Sequence, residues 1–128
     1  MPYGALAVVA LLPTACSSAR LGAAAALVEM TAAFNEGTKI LKTLTDEATA
    51  KEAAARLEPV AKKCEAAARH YKYSVRRGRS SGDLNTELQK NLKATMTIMA
   101  EMNRVERIPG AMRHVKPLVD RMDEALQE

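Results

Sequence analysis

The sequence predicts an all-α protein: an antiparallel helical bundle or hairpin stack of three long helices plus a short C-terminal helix. Three observations predict it. From residue 20 onward apolar side chains recur at spacings of three and four, which places them on one face of a helix. No segment alternates polar and apolar with the period of two of a half-buried strand. Strong breaks are few, chiefly Arg76-Arg77-Gly78-Arg79-Ser80-Ser81-Gly82 and Ile108-Pro109-Gly110. Long amphipathic helices joined by short turns must cover one another's apolar faces, in a coiled-coil-like manner.

Composition bounds what such a bundle contains. A chain of 128 residues holds one domain with one modest core. With 3% aromatic residues, no Trp and one Phe, that core is built from Ala, Leu, Val, Ile and Met. The net charge of +4 favours contact with anionic surfaces. Two cysteines are not a disulfide framework.

Residues 1–19 read as a signal-peptide-like or lipoprotein-signal-like segment, and residues 20–128 as the helical domain. The uncharged apolar run 4–12 is followed by Pro13-Thr14-Ala15-Cys16-Ser17-Ser18-Ala19, the order of a secretory signal. It is shorter than the about 20 apolar residues a spanning helix needs. Three fates stay open: lipid attachment at Cys16, cleavage after Ala19, or retention as a buried N-terminal helix. Pro13 stands three before the cysteine, where lipoprotein signals usually have leucine, and Met1-Pro2-Tyr3-Gly4 carries no Lys or Arg.

The first helix of the domain is expected over residues 19–44. Its buried positions include Ala24, Leu27, Val28, Thr31, Phe34, Leu41 and Leu44, and Gly37 is a weak point. After a connection over 45–48, Thr49 and Glu52 fit a capping box that opens the second helix. Ala50, Ala53, Leu57, Val60, Cys64, Ala67 and Tyr71 form its heptad, with Leu57 deep in the core. Glu47/Lys51, Glu52/Arg56, Glu58/Lys62 and Glu65/Arg69 mark its wet face. Pro59 should bend this helix near Ala55 without dividing it. Asp83 can cap a third helix reaching about residue 107. Its stripe is Leu84, Leu88, Asn91, Thr95, Ile98, Met102 and Val105, widened by Leu92 and Met99. Met112, Val115, Val119, Met122 and Leu126 give the last helix, with Pro117 in its first turns.

Few residues carry a chemistry. Met96, Met99 and Met102 recur every third residue. Thioethers in such a row suit Cu(I) or a protein surface, but in a core short of rings methionine is first of all filler. Cys64 reads as a small buried hydrophobe. His70 and His114 lack a zinc-binding spacing, and no helical di-iron pattern or glycine-rich phosphate loop occurs. The sequence therefore indicates no enzyme, metal, cofactor or small-molecule substrate.

The segment 62–79 holds seven Lys and Arg against Glu65, with Tyr71 and Tyr73 among them. Lys72, Arg76, Arg77 and Arg79 are the candidate contacts for an anionic surface. A solvated helix end that complements the helix dipole is the plainer alternative.

Two stretches carry a resemblance: residues 40–51, Ile40-Leu41-Lys42-Thr43-Leu44-Thr45-Asp46-Glu47-Ala48-Thr49-Ala50-Lys51, and residues 101–111, Glu101-Met102-Asn103-Arg104-Val105-Glu106-Arg107-Ile108-Pro109-Gly110-Ala111. Both resemble segments of small uncharacterised bacterial exported or lipoprotein helical domains, over about residues 34–122. That resemblance implies fold and export and supplies no activity. Where those proteins have an acidic, proline-containing connector, this chain has the basic loop 76–79.

The sequence thus points to a non-enzymatic helical scaffold or interaction module of the cell envelope, on the periplasmic side and lipid-anchored if Cys16 is acylated. A protein partner or a homodimer fits this reading, and nucleic acid does not. The alternative is a small cytosolic adaptor that binds nucleic acid or a partner helix through residues 62–79.

Overall fold

The computed structural model describes residues 22–78 and 84–127. Cys16, Arg79, Asp83 and the segment 1–19 lie outside the described residues. Four helices make up the described chain: α1 (Ala23–Leu41), α2 (Glu47–Arg76), α3 (Leu84–Glu106) and α4 (Met112–Glu124). The protein is an all-α bundle of three long helices and one short one, with no strand element among the described residues.

Consecutive helices run antiparallel, and cross-links fix their register. Glu36 faces Lys63 at 3.7 Å between α1 and α2. Asn91 donates to Thr31 Oγ1 at 3.3 Å, and Arg104 donates to the Leu41 carbonyl at 2.8 Å. α1 and α3 are therefore parallel neighbours. So are α2 and α4, since Glu47 meets His114 and Glu65 meets Arg121. The helices meet in the order α3–α1–α2–α4, and α3 and α4 touch only lightly.

Gly37 sits where all four helices converge. A Cβ built there would stand 3.0 Å from Ile98 Cδ1, 3.4 Å from Met122 Cε and 3.6 Å from Leu57 Cδ2. The position expected to weaken α1 instead lets α3 approach closely. Small residues do the same along the seams, with Ala33, Ala53, Ala61, Ala67, Ala68 and Ala94 all buried. Phe34 and Leu57 are core residues, as their spacing predicts.

Three local expectations are corrected. The cap of α2 is Asp46, whose carboxylate accepts from the Thr49 N–H at 2.9 Å, while Thr49 Oγ1 accepts from the Asp46 N–H at 3.0 Å. Thr49 belongs to the capping box as its third helical residue, because Asp46 offers the better acceptor one turn earlier. Within α1, Val28 is exposed and Met30 takes its place inside. Within α3, Leu88, Leu92 and Met99 are exposed, and Ala94 faces the core. The tight approach of α1 turns α3 towards its small residue. Met102 is core, whereas Met96 is exposed, so the methionine row divides.

α2 continues through Pro59, which offers no N–H to the Ala55 carbonyl one turn back and stands on an exposed stretch. No helix among the described residues is long and apolar enough to cross a membrane.

Candidate functional site

The charges of α2 are sorted along its length. Glu47, Glu58 and Glu65 are spaced by eleven and seven residues, so they share one side of the helix. α4 lies along that side. Arg121 donates to Glu58 at 3.0 Å and to both oxygens of Glu65 at 2.8 and 3.2 Å. Glu47 is held by Arg113 and by His114 Nε2, the latter at 3.0 Å. Of the four acids expected to pair within α2, Glu47, Glu58 and Glu65 instead bond across to α4, which supplies cations on the same stripe, though Arg69 still lies close enough to Glu65 to lower its carboxyl.

Electrostatics follow the geometry. The bond from His114, then Arg113, holds the Glu47 carboxyl down to about 2. Arg121 lowers Glu65 and is itself pushed further up by Glu65 and Glu58. Burial, with Glu65 and Asp123 nearby, pushes the Cys64 thiol up to about 12, which suits a packing group and not a nucleophile.

Past Glu65 the same side of α2 changes sign. Arg69, Lys72 and Arg76 follow at steps of three and four, so the cations continue the line that the acids began. They border an open depression of about 430 Å³ together with Tyr73. Arg77 turns back on Tyr73, with its guanidinium carbon 5.2 Å from the ring centroid and Nε donating to the phenol oxygen at 3.2 Å. Among the described residues no acid stands within ion-pair distance of Lys72, Arg76 or Arg77, although Glu124 shares a neighbouring depression with Arg69 and Lys72.

The structure thus brings Lys72, Arg76 and Arg77 together and adds Arg69, which the sequence placed within the basic segment but not at its contact. The signal was present in its spacing to Lys72 and Arg76. Lys63 drops out, since it faces Glu36 on the α1 side. Arg79 lies outside the described residues.

Cation density with a stacked ring can bind phosphates, sulfates or carboxylates. Among the described residues no three His, Cys, Asp or Glu side chains are grouped to hold a metal. In comparisons with known proteins the chain matches no family model, no curated protein and no solved structure.

Proposed function

We propose that this chain is a non-enzymatic helical interaction module of the cell envelope whose cationic end of α2 meets a negatively charged surface. One observation carries the reading: Arg69, Lys72 and Arg76 extend a charged stripe past the ion pairs that α4 makes with its first half, with Glu124 at the end of α4 bordering Arg69 and Lys72. Lys63, Lys90, Arg104, Arg113, Lys116 and Arg121 have acidic partners, and other cations outside ion pairs among the described residues, such as Lys39, Lys51, Arg56 and Lys93, lie apart from this strip. Cations left unpaired in a row retain their full attraction for an outside anion.

The envelope assignment is supported by the apolar run 4–12 leading to Cys16, and by the resemblance of residues 40–51 and 101–111 to exported helical domains. Acylation of Cys16 would hold the domain against a bilayer and raise the local concentration of anionic headgroups. A cytosolic adaptor for a partner helix is the second reading, favoured by the exposed apolar side chains of α3.

Co-sedimentation with phosphatidylglycerol vesicles tests the first reading. The chain should pellet at about 0.05 M salt and be released by about 0.5 M salt, where screening is strong. Replacing Lys72, Arg76 and Arg77 by serine should abolish pelleting while leaving helicity intact. Undiminished pelleting of that variant would refute the reading.

A further inference from the structure

Over residues 84–104, α3 carries its charges on one side; Glu106, at its C-terminal end, is the exception. Glu87 pairs with Lys90 and Glu101 with Arg104, and Lys93 lies beside them along the α1 seam. On the other side Leu88, Leu92, Met96 and Met99 are 38%, 61%, 65% and 43% exposed. At about 100° per residue these four fall within an arc of about 80°. Asn85, Gln89 and Asn103 flank them, exposed and uncharged. Single exposed apolar residues are ordinary, but four in a line with no charge among them are the make-up of an interface centre.

The length of α4 explains why this side is uncovered. α4 has 13 residues and α2 has 30. Its last turn is level with Glu65 on α2, through Arg121, and with Ile98 on α3, through the meeting of Met122 and Ile98 at Gly37. From Glu65 to Arg76, α2 runs on for about 16 Å, and α3 runs on from Ile98 back to Leu84 for about 21 Å. Past Glu124 the chain continues as a turn in which Ala125 and Leu126 are half-buried against the core, with Ala125 beside Arg69 and Lys72; beyond it no helix among the described residues occupies the fourth position of the bundle. Its α2 wall is cationic, with Arg69, Lys72 and Arg76. Its α3 wall is apolar, with Leu88 and Leu92 outermost and half-buried Leu84 towards the core, where Tyr71 of α2 is also half-buried.

We propose that this fourth position is a docking groove for an acidic amphipathic helix of a partner protein, which stacks below the end of α4 and completes the bundle. The inference rests on the reading of the α2 strip as an anion-binding surface and names its partner. Charge complementarity selects this occupant. α4 already shows the arrangement in its mirror form, with cations meeting the acids of α2; past its end the cations are on α2, so the guest must bring carboxylates. Apolar side chains at spacings of three and four would cover Leu88 and Leu92, while Glu or Asp on one edge met Lys72 and Arg76. Residues 1–21 contain no acid and would leave the strip uncompensated. A second copy pairing through α3 would cover the leucines, but Glu87 and Glu101 of that helix are already paired with Lys90 and Arg104, which leaves Glu106 as its one carboxylate without an ion pair among the described residues.

The test uses the full chain and fluorescent 14-residue helical peptides with a leucine stripe edged by Glu or, as the control, by Lys. Anisotropy should show binding of the Glu-edged peptide and at least about tenfold weaker binding of the Lys-edged one. Leu92→Ser and Lys72→Ser, both at surface positions, should each weaken binding by about tenfold, since each removes an anchor from a different wall. Equal binding of the two peptides would overturn the proposal. So would loss in Lys72→Ser with none in Leu92→Ser, or a dimer of the chain that Leu92→Ser dissociates. Vesicle binding without peptide binding sinks the groove and leaves the strip standing, whereas failure of both sinks the strip as well.

Discussion

Gly37 and Ile98 touch with no space between them: a Cβ on the glycine would lie 3.0 Å from Ile98 Cδ1. The approach of α1 to α3 is thus set by a missing side chain, and Leu57 and Met122 complete the ring around it. A methyl group here presses on the ends of flexible side chains, which can shift, and also removes the roughly 1 kcal/mol helix penalty of glycine. Gly37→Ala should therefore change stability by less than about 1 kcal/mol. Gly37→Val has no such room and should lose about 1–3 kcal/mol in urea unfolding. A valine variant as stable as the parent would show that the convergence is not close-packed.

Gly110 and Gly78 separate backbone strain from crowding. Both have left-handed backbones, with φ of 77° and 69°. Nothing stands within 4 Å of a Cβ at Gly78, whereas one at Gly110 would lie 2.8 Å from Glu47 Oε1. Gly78→Ala should cost about 1 kcal/mol for conformation alone. Gly110→Ala should cost clearly more, because it also displaces the carboxylate that Arg113 and His114 share. Equal melting temperatures for the two variants would contradict this.

Acid should weaken the α2–α4 contact. Glu47 is held down to about 2, mainly by His114 and then by Arg113, and Glu65 and Asp46 are also lowered, by Arg121 and by the Thr49 N–H. In the unfolded chain these carboxyls titrate near about 4, so the unfolded state binds more protons in between. Their stabilisation is complete above about pH 5 and is lost as pH falls towards about 2. The melting temperature should fall across that window, and Glu47→Gln should flatten the fall. A melting temperature independent of pH there would exclude the pairs as a source of stability.

The Cys64 thiol, buried and pushed up to about 12, should resist alkylation in the folded protein at pH 8. Its Sγ sits 3.7 Å from the Met122 carbonyl, where no reagent reaches it. Peptide mapping after iodoacetamide treatment should find Cys64 unmodified until denaturant is added. Rapid native labelling would mean that α2 and α4 separate readily.

The helices were legible because buried residues at spacings of three and four outnumber every competing pattern, and Phe34, Leu57, Val60 and Met122 are all inside. The face of α3 was misread for a physical reason. A count of large apolar residues favours Leu88, Leu92 and Met99, but the side of α3 that packs on α1 carries Ile98 against Gly37 and Ala94 beside Thr31 and Asn35. The partners of Glu47, Glu58 and Glu65 were hidden because neighbours within α2 satisfy the helix pairing rule equally well. Their match in α4 is visible only as the seven-residue step from His114 to Arg121. For the candidate contact the basic segment itself was plain, but which of its cations α4 pairs depends on where α4 ends.

The central claim is that the end of α2 recognises negative charge. Backbone amide shifts recorded while phosphatidylglycerol nanodiscs are added test it residue by residue. The largest changes should fall on Arg69, Lys72, Tyr73, Arg76 and Arg77 and vanish in high salt. Changes centred instead on the α1–α2 seam around Glu36 and Lys63, or changes that persist in high salt, would contradict it.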